Sequence, residues 1–291
     1  MPQPARRRSV LYVPASNERA LAKATTLACD AVILDLEDSV APEMKALARE
    51  NVRAALESGI FGTKEVVIRV NGFPEGEDGP DLLADDLAML LPAGPNAILF
   101  PKIRSASDAR RAETALDAHG GPDNVRLWLM IETPQAVLDI AAIAASASDA
   151  NSRLECLVMG TNDLAKEMRL RLTASRLSVL HALCAVVLAG RAYHLDILDG
   201  VFGGISDPTG FESETLQGRG LGFDGKTLIH PSQIEAANRI FSPSEAELAE
   251  ANAIISAFEA PENADKGVLV VDGNMTERLH YLMAKRLVSN A

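Results

Sequence analysis

The amino-acid sequence predicts an α/β fold, a (β/α)8 TIM barrel followed by a C-terminal helical extension. Eight short apolar segments with strand character recur roughly every thirty residues, which is the length of one β–α unit. Between them lie segments with apolar residues at helical spacing and polar outer faces. Right-handed crossovers would close such a series into a ring. An open doubly wound sheet is the alternative, and the lack of a GxGxxG turn between a predicted strand and a helix favours the barrel.

Several of the predicted strands end in charged or glycine-containing sequence, which places polar groups at one rim of the barrel. The eight predicted strands are Ser9–Ala15, Ala31–Asp38, Glu65–Gly72, Ala97–Ile103, Arg126–Glu132, Leu154–Asp163, Leu195–Gly203 and Gly225–Pro231. Helical spacing is clearest in Asn17–Cys29 and Ala41–Ser58. We assign residues 1–235 to the barrel and residues 236–291 to the extension.

The C-terminal extension has its own helix signals. Ser244 and Glu247 form a capping box ahead of an apolar helix, and a polar linker follows at Ala260–Lys266. A short strand is predicted at Gly267–Val271, and Thr276 is predicted to cap a final helix. Such an appendage is either a lid or arm that docks on a neighbouring subunit, or a helix pair that covers the side of the barrel.

Composition excludes several classes of function. The formal net charge of −12 argues against binding to nucleic acid or to an anionic membrane surface. No uninterrupted apolar run is long enough to span a membrane, which predicts a soluble protein. The three cysteines are odd in number and lack metal-ligand spacing, so reduced thiols in a cytoplasmic protein are the simplest interpretation.

Two neighbouring strands are each predicted to end at a carboxylate. The run Arg126–Ile131 leads into Glu132, and Leu154–Met159 leads through a glycine into Asp163. Strand ends at the C-terminal rim are where an α/β barrel carries its chemistry. Two carboxylates held close together repel unless a cation lies between them, and a hard divalent ion with oxygen ligands meets that need. The pair therefore predicts a Mg²⁺ site, and the scattered histidines argue against Zn²⁺.

Other charged residues are predicted at the same rim. Arg69 lies in a buried strand, so it needs a partner, which is either a structural aspartate or a substrate carboxylate held by its bidentate fork. Strand alternation would send Asp35 and Glu37 to one side and Asp38 to the other. At least one of these acids is expected to meet Arg69 or Lys102, in a structural ion pair or in a catalytic role. For Lys102, an electrostatic role is favoured over a Schiff base.

The motifs along the chain resemble the citrate lyase β-subunit family. The resemblance extends over nearly the whole chain, in order. It is carried by Arg8–Arg19, Ala31–Asp38 with Ala41, Pro42 and Lys45, Ile68–Asn71, Pro101–Lys102, Ile131–Thr133, Gly160–Ala165, Asp199–Val201, Gly222–Lys226 and Ile229–Gln233.

This resemblance implies membership of a wider aldolase group that includes malyl-CoA, citramalyl-CoA and β-methylmalyl-CoA lyases. It implies a homotrimeric TIM barrel that uses Mg²⁺ to make or break a carbon–carbon bond. The reaction joins an acyl thioester, carried by CoA or an acyl-carrier protein, to a 2-oxo acid such as oxaloacetate, pyruvate or glyoxylate. By motif, Glu132 and Asp163 are expected to bind Mg²⁺, Arg69 the substrate carboxylate, and Glu132 and Lys102 other parts of the substrate.

The resemblance also implies catalytic roles and shows departures. We expect Glu37 and Asp38 to lie in the site with Arg69. Where relatives that act on free CoA thioesters carry a Met-Ile-Asp lid sequence whose acid reaches an adjacent subunit, this chain has Met275-Thr-Glu277. Glu277 is therefore either a catalytic lid acid or a residue favoured by a helix N-terminus. The glycine that follows Val-Pro in the family is Ala15 here.

The sequence thus predicts a Mg²⁺-dependent carbon–carbon lyase that acts on a 3-hydroxy-acyl thioester of the citryl, malyl or citramalyl type. A CoA-free aldolase of 2-oxo acids would use the same metal and the same arginine. A barrel that only binds 2-oxo acids is a third possibility, against which the intact set Arg69, Glu132 and Asp163 counts.

Overall fold

The computed structural model describes residues 6–74 and 81–289 and shows the predicted closed, parallel, eight-stranded barrel. The strands pair in sequence order, and the first pairs with the eighth. Residues 1–5, 75–80 and 290–291 of the two predicted domains lie outside the described part. The barrel strands are β1 (Ser9–Pro14), β2 (Ala31–Asp35), β3 (Glu65–Arg69), β4 (Ala97–Phe100), β5 (Arg126–Ile131), β6 (Leu154–Met159), β7 (Asp196–Asp199) and β8 (Gly225–Leu228).

All eight predicted strands exist, but each ends earlier than predicted, by one to four residues. One of the two largest differences concerns Asp163, which was expected at the end of β6. The strand stops at Met159, and Asp163 instead lies in the first turn of the following helix. An apolar run in the sequence marks the buried part of a strand. The polar residues that follow it lie in a loop at the rim of the barrel, and the sequence alone does not show where the strand ends.

Helices alternate with the strands and cover the barrel. They are α1 (Glu18–Ala24), α2 (Lys45–Glu57), α3 (Leu82–Leu90), α4 (Ala106–Ala118), α5 (Pro134–Leu138), α6 (Ile140–Ala145), α7 (Thr161–Glu167), α8 (Leu180–Ala192), α9 (Pro208–Leu221) and α10 (Ile234–Phe241). Side-chain caps explain where several begin. Asn17 accepts the amide hydrogen of Ala20, and Thr133 accepts that of Ala136. The helix predicted over Asn17–Cys29 is therefore shorter, and the one predicted over Ala41–Ser58 begins as a 3-10 turn, Pro42–Met44.

A charged cluster closes the N-terminal end of the barrel. Arg7 donates to Glu65 at 2.7 and 2.9 Å, to Glu155 at 2.7 Å and to Asp196 at 2.6 Å. Its guanidinium also lies 4.9 Å from the ring centroid of the fully buried Trp128. These contacts join β3, β5, β6 and β7 around one cation, so this end of the barrel is stabilised independently of the opposite rim.

The chain divides into two compact units within α10, between Asn238 and Arg239. The C-terminal unit contains α11 (Glu245–Glu259), β9 (Val268–Val271), β10 (Asn274–Glu277) and α12 (Arg278–Ser289). The predicted capping box of Ser244 and Glu247 is confirmed. The prediction for Thr276 was wrong, because this residue lies in β10 and pairs with Leu269 of β9, and α12 begins only at Arg278. The exposed hairpin strands showed too little apolar alternation to reveal β10 in the sequence.

Among the described residues, none of the helices combines the length and the apolar character needed to cross a membrane.

Replacing Arg7 with methionine is expected to lower the free energy of unfolding by about 2 kcal/mol, because it leaves three partly buried carboxylates without their shared cation. Urea denaturation measures this change. The matched control is Arg53→Met, which removes a surface arginine paired along α2 with Glu50 and Glu57 and should change stability little. An equal effect of the two substitutions would contradict a stabilising role for the cluster around Arg7.

Candidate active site

A cavity of about 290 Å³ opens at the C-terminal ends of the barrel strands. Its wall combines charged residues with apolar side chains, the arrangement typical of small-molecule sites. The lining residues are Tyr12, Pro14, Asp35, Asp38, Ser39, Arg69, Met130, Met159, Gly160, Thr161, Asn162, Asp163, Val201 and Ile229. The cavity therefore includes four of the residues that the sequence predicted at the rim, Asp38, Arg69, Asp163 and the strand-end Asp35.

Glu132 is a buried carboxylate with one oxygen left without a partner. Its Oε1 accepts the backbone N–H of Lys102 at 2.7 Å, while its Oε2 is buried and accepts no hydrogen bond. Burial, followed by the charges of Glu37 and Asp163, raises the pKa of Glu132 to about 7. A buried oxygen with no donor is costly unless a cation or a proton compensates it.

Lys102 directs its backbone into this site through an unusual conformation. Its φ is +56°, a left-handed value that is uncommon for a residue other than glycine. In this conformation its N–H points at Glu132, while its ammonium group donates to Glu37 at 2.6 Å and approaches Asp38 at 3.4 Å. Burial alone would lower the pKa of Lys102, but the bond to Glu37 and the other carboxylates outweigh it and raise that pKa. The amine is therefore held as a cation, which agrees with an electrostatic role.

Arg69 is held by Asp35 along one edge of its guanidinium. Nε and Nη2 each lie 2.6 Å from an oxygen of Asp35, and this bidentate pair is buried. Nη1 lies 3.0 Å from Oε2 of Glu37, and the guanidinium carbon lies 5.0 Å from the ring centroid of Tyr12. Asp35 thus occupies the Nε and Nη2 edge of the Arg69 guanidinium. A substrate carboxylate could reach Arg69 only from the Nη1 side.

The acids after β2 do not follow strand alternation. The chain turns after Asp35, whose Oδ1 accepts the N–H of Glu37 at 3.0 Å and whose Oδ2 accepts that of Ser39 at 3.2 Å. Glu37 and Asp38 consequently both approach Lys102, so the prediction that they face opposite sides was wrong. The expectation that these acids meet Arg69 or Lys102 is confirmed. Glu37 is buried, whereas the side chain of Asp38 is 54% exposed and lines the cavity.

Asp163 lines the cavity, whereas Glu132 is fully buried at the end of β5 and is not among the lining residues. Gly160 lies between the two in the chain and contacts Glu132. A Cβ at position 160 would lie 2.5 Å from Cβ and 2.7 Å from Oε2 of Glu132. Only glycine permits this close approach of α7 to the end of β5. The sequence motif around Asp163 thus fixes both a carboxylate and the backbone that brings it to the site.

The residues present fit a magnesium ion. No group of three or more His, Cys, Asp or Glu side chains with metal-binding geometry occurs within residues 6–74 and 81–289. Magnesium does not require one, since it is commonly held by one or two carboxylates and completes its shell with water and substrate oxygens. The unpartnered Oε2 of Glu132 and the half-buried Asp163 supply two such carboxylates.

Sequence reasoning missed the apolar part of the cavity and one buried network. Tyr12, Met130 and Met159 read simply as strand residues, because alternation does not tell which end of a barrel a side chain reaches. Asp199 and Lys226 belong to two of the family motifs, but the sequence did not predict that they form a fully buried ion pair at 3.0 Å. Glu277 belongs to the C-terminal unit, so its catalytic role stays a prediction.

Comparison with known proteins identifies the family. The model of the HpcH/HpaI aldolase/citrate lyase family matches residues 8–231. The chain belongs to this family. Both the resemblance to citrate lyase β subunits and the predicted TIM barrel are thereby confirmed.

Named relatives extend over the whole chain. A (3S)-malyl-CoA thioesterase of Cereibacter sphaeroides is 45% identical over 284 residues, which cover 98% of this chain and 94% of that protein. An L-malyl-CoA/β-methylmalyl-CoA lyase from the same species is 32% identical and covers 100% and 96% of the two chains. Among solved structures, protein CitE from Mycobacterium tuberculosis in complex with magnesium, acetoacetate and coenzyme A superposes with a TM-score of 0.74. It is 26% identical, with 97% of each chain covered.

The raised pKa of Glu132 predicts how stability depends on pH in metal-free protein. The folded state binds this proton more tightly than the unfolded state, so stability falls as pH rises from about 4.5 to about 7 and then levels off. Glu132→Gln mimics the neutral acid. In EDTA it should match the wild type near pH 4 and exceed it by about 3 kcal/mol at pH 8, as measured by urea denaturation.

Added Mg²⁺ should change the stability in the opposite direction at high pH. It should stabilise the wild type at pH 8, because it binds the ionised site, and should stabilise Glu132→Gln much less. Glu43→Gln, which replaces an exposed glutamate, serves as the control and should leave both responses unchanged. A difference between wild type and Glu132→Gln that stays constant with pH would contradict the raised pKa.

Proposed function

We propose that this chain is a Mg²⁺-dependent enzyme that hydrolyses the thioester of a 3-hydroxy dicarboxylic acid of the malyl-CoA type. The observation that carries the proposal is the 45% identity to a (3S)-malyl-CoA thioesterase over nearly the full length of both chains. The site agrees with it, since Arg69 and Lys102 supply fixed positive charge for an anionic acyl group. The soluble, cytoplasmic location and the homotrimer expected from the sequence remain predictions.

In this proposal Glu132 and Asp163 hold the metal. Magnesium bound there would polarise a substrate oxygen and orient the acid portion of the substrate. Arg69 binds a substrate carboxylate from its Nη1 side, because Asp35 fixes the other edge of the guanidinium. Lys102 donates a hydrogen bond to Glu37 and adds positive charge beside the reacting group. These contacts would hold the reacting groups of the substrate in a fixed orientation, which accounts for a large part of the rate enhancement of many enzymes.

Hydrolysis requires water to attack the thioester carbonyl carbon. The carbon–sulfur bond then breaks, and the thiol leaves with a proton while the acid keeps the hydroxyl group. Asp38 is the carboxylate best placed to accept the proton from the attacking water, since it lines the cavity and its side chain is half exposed. Glu37 is already engaged by Lys102 and lies beside Arg69, so it organises these cations.

Carbon–carbon cleavage is the second candidate, favoured by the full-length similarity to an L-malyl-CoA/β-methylmalyl-CoA lyase. The hydroxyl proton leaves, the bond between the hydroxyl-bearing carbon and the α-carbon of the thioester breaks, and a 2-oxo acid forms. The remaining acyl thioester enolate must then be protonated, a role that the lid acid Glu277 would supply. An acyl-carrier protein as thioester carrier, a CoA-free aldolase and a non-catalytic binder of 2-oxo acids remain alternatives.

One assay separates the two reactions. The purified protein is incubated with Mg²⁺ and (3S)-malyl-CoA, and free thiol and glyoxylate are measured in parallel. Hydrolysis should release free CoA and malate with no glyoxylate, and EDTA should stop the release. Glyoxylate and acetyl-CoA without free thiol would establish the lyase reaction instead. If neither product appears, the malyl-CoA proposal is wrong.

Glu277→Gln tests the lid prediction. If Glu277 supplies a proton during turnover, the variant should lose about 10²-fold or more in kcat, since general acids contribute at that level, while its Mg²⁺ affinity stays unchanged. Glu262→Gln, an exposed glutamate of the same unit, is the matched control and should retain full turnover. Unchanged kcat in Glu277→Gln would assign Glu277 to the fold of the hairpin rather than to catalysis.

A further inference from the structure

We infer that Gly200, held rigidly by Asp199 and Lys226, is a positioning residue for the metal ligand Asp163. The inference deepens the proposed function and rests on it, because it takes Asp163 and Glu132 as the ligands of a divalent cation. It assigns a role to a buried ionic network that neither the cavity lining nor the sequence motifs explain.

The network lies at the ends of β7 and β8. Asp199 and Lys226 are both completely buried, and the ammonium group of Lys226 lies 3.0 Å from Asp199 and 2.8 Å from Glu214. Arg176 donates to both oxygens of Asp199, at 2.7 and 2.8 Å, and to the side chain of Gln217 at 2.7 Å. Two cations and two carboxylates therefore balance in the interior, which makes their geometry strongly determined.

The peptide units of Gly200 are fixed from both sides by this network. The N–H of Gly200 donates to Oδ1 of Asp199 at 2.8 Å, and its carbonyl oxygen accepts a short hydrogen bond from Lys226. Thr227 adds a bond from its hydroxyl to the carbonyl of Asp199 at 3.0 Å. A backbone segment with so many buried partners cannot shift without breaking several of them.

The fixed glycine contacts the first residue of α7. A Cβ at position 200 would lie 2.7 Å from Oγ1 and 3.0 Å from Cγ2 of Thr161, and 3.0 Å from the carbonyl oxygen of Met159. Thr161 is buried, and Asp163 follows two residues later in the same turn. The position of Gly200 thus limits where α7 can begin.

A second glycine limits the same segment from the opposite direction. Gly160 packs so closely on Glu132 that a Cβ there would lie 2.5 Å from its Cβ. The segment 160–163 is therefore confined between Glu132 on one side and Gly200 on the other. Since Glu132 and Asp163 are the two proposed ligands, these close contacts set the separation of their carboxylates. A merely structural network would stabilise the barrel without affecting that separation.

The test enlarges one contact and then relieves it. The variants are Gly200→Ala, Thr161→Ala and the double substitution, with Gly220→Ala as control because Gly220 is exposed on α9 and has open space around its missing Cβ. Mg²⁺ affinity is measured by titration calorimetry, and the unfolding midpoint by thermal denaturation. Gly200→Ala should weaken Mg²⁺ binding by about tenfold or more, as displacing a supporting contact of a metal ligand commonly does. Gly220→Ala should bind as the wild type does.

Relief of the collision provides the decisive comparison. Adding Thr161→Ala removes the two side-chain atoms nearest the new methyl group and leaves only the carbonyl oxygen of Met159, at 3.0 Å, so the double variant should regain part of the lost affinity. If Gly200→Ala alone does not fold, the Mg²⁺ affinities of the double variant and of Thr161→Ala are compared instead. A lower affinity in the double variant supports the inference, and equal affinities overturn it. The inference is overturned if Gly200→Ala lowers only the unfolding midpoint and binds Mg²⁺ normally, or if Thr161→Ala brings no recovery. A wild type that binds no Mg²⁺ would overturn the proposed function as well.

Discussion

An excess of negative charge at the C-terminal rim of the barrel is the constraint on which the rest of the site depends. Five carboxylates and three cations meet there, which leaves two negative charges uncompensated when all eight groups are ionised. These groups are Asp35, Glu37, Asp38, Glu132 and Asp163, with Lys45, Arg69 and Lys102. A divalent cation would balance that excess. Without one, burial and the neighbouring carboxylates raise the pKa of Glu132 to about 7, so that Glu132 is protonated below that pH.

The fold meets this constraint with backbone as much as with side chains. Lys102 adopts a left-handed conformation so that its N–H reaches Glu132, and Gly160 allows α7 to approach the same carboxylate. Asp35 holds the guanidinium of Arg69 in place, so that it does not move toward Glu132 or Asp163. The fold itself thus holds these charges and donors in place, which is the condition for efficient electrostatic catalysis. The cluster around Arg7 secures the opposite end of the barrel.

The sequence allowed the strands and the principal rim residues to be predicted, because buried parallel strands are nearly continuous apolar runs. Motif resemblance gave the family, and the order of the strands then brought Glu132 and Arg69 to one rim. Other features depend on distances that no local pattern encodes. Asp163 lies on a helix rather than a strand end, and the ion pair of Asp199 with Lys226 joins residues far apart in the chain. The positive φ of Lys102 has no sequence signal, since its side chain is not one that favours that conformation.

Whether Glu132 and Asp163 hold one divalent cation is tested most directly by crystallography with Mn²⁺, which replaces Mg²⁺ at oxygen sites and scatters anomalously. Crystals of the wild type soaked with Mn²⁺ and a 2-oxo acid should show one anomalous peak about 2.1 Å from Oε2 of Glu132 and from a carboxylate oxygen of Asp163. Well-ordered carboxylates with no anomalous peak between them, or a peak bound elsewhere, would contradict the magnesium site and the chemistry derived from it.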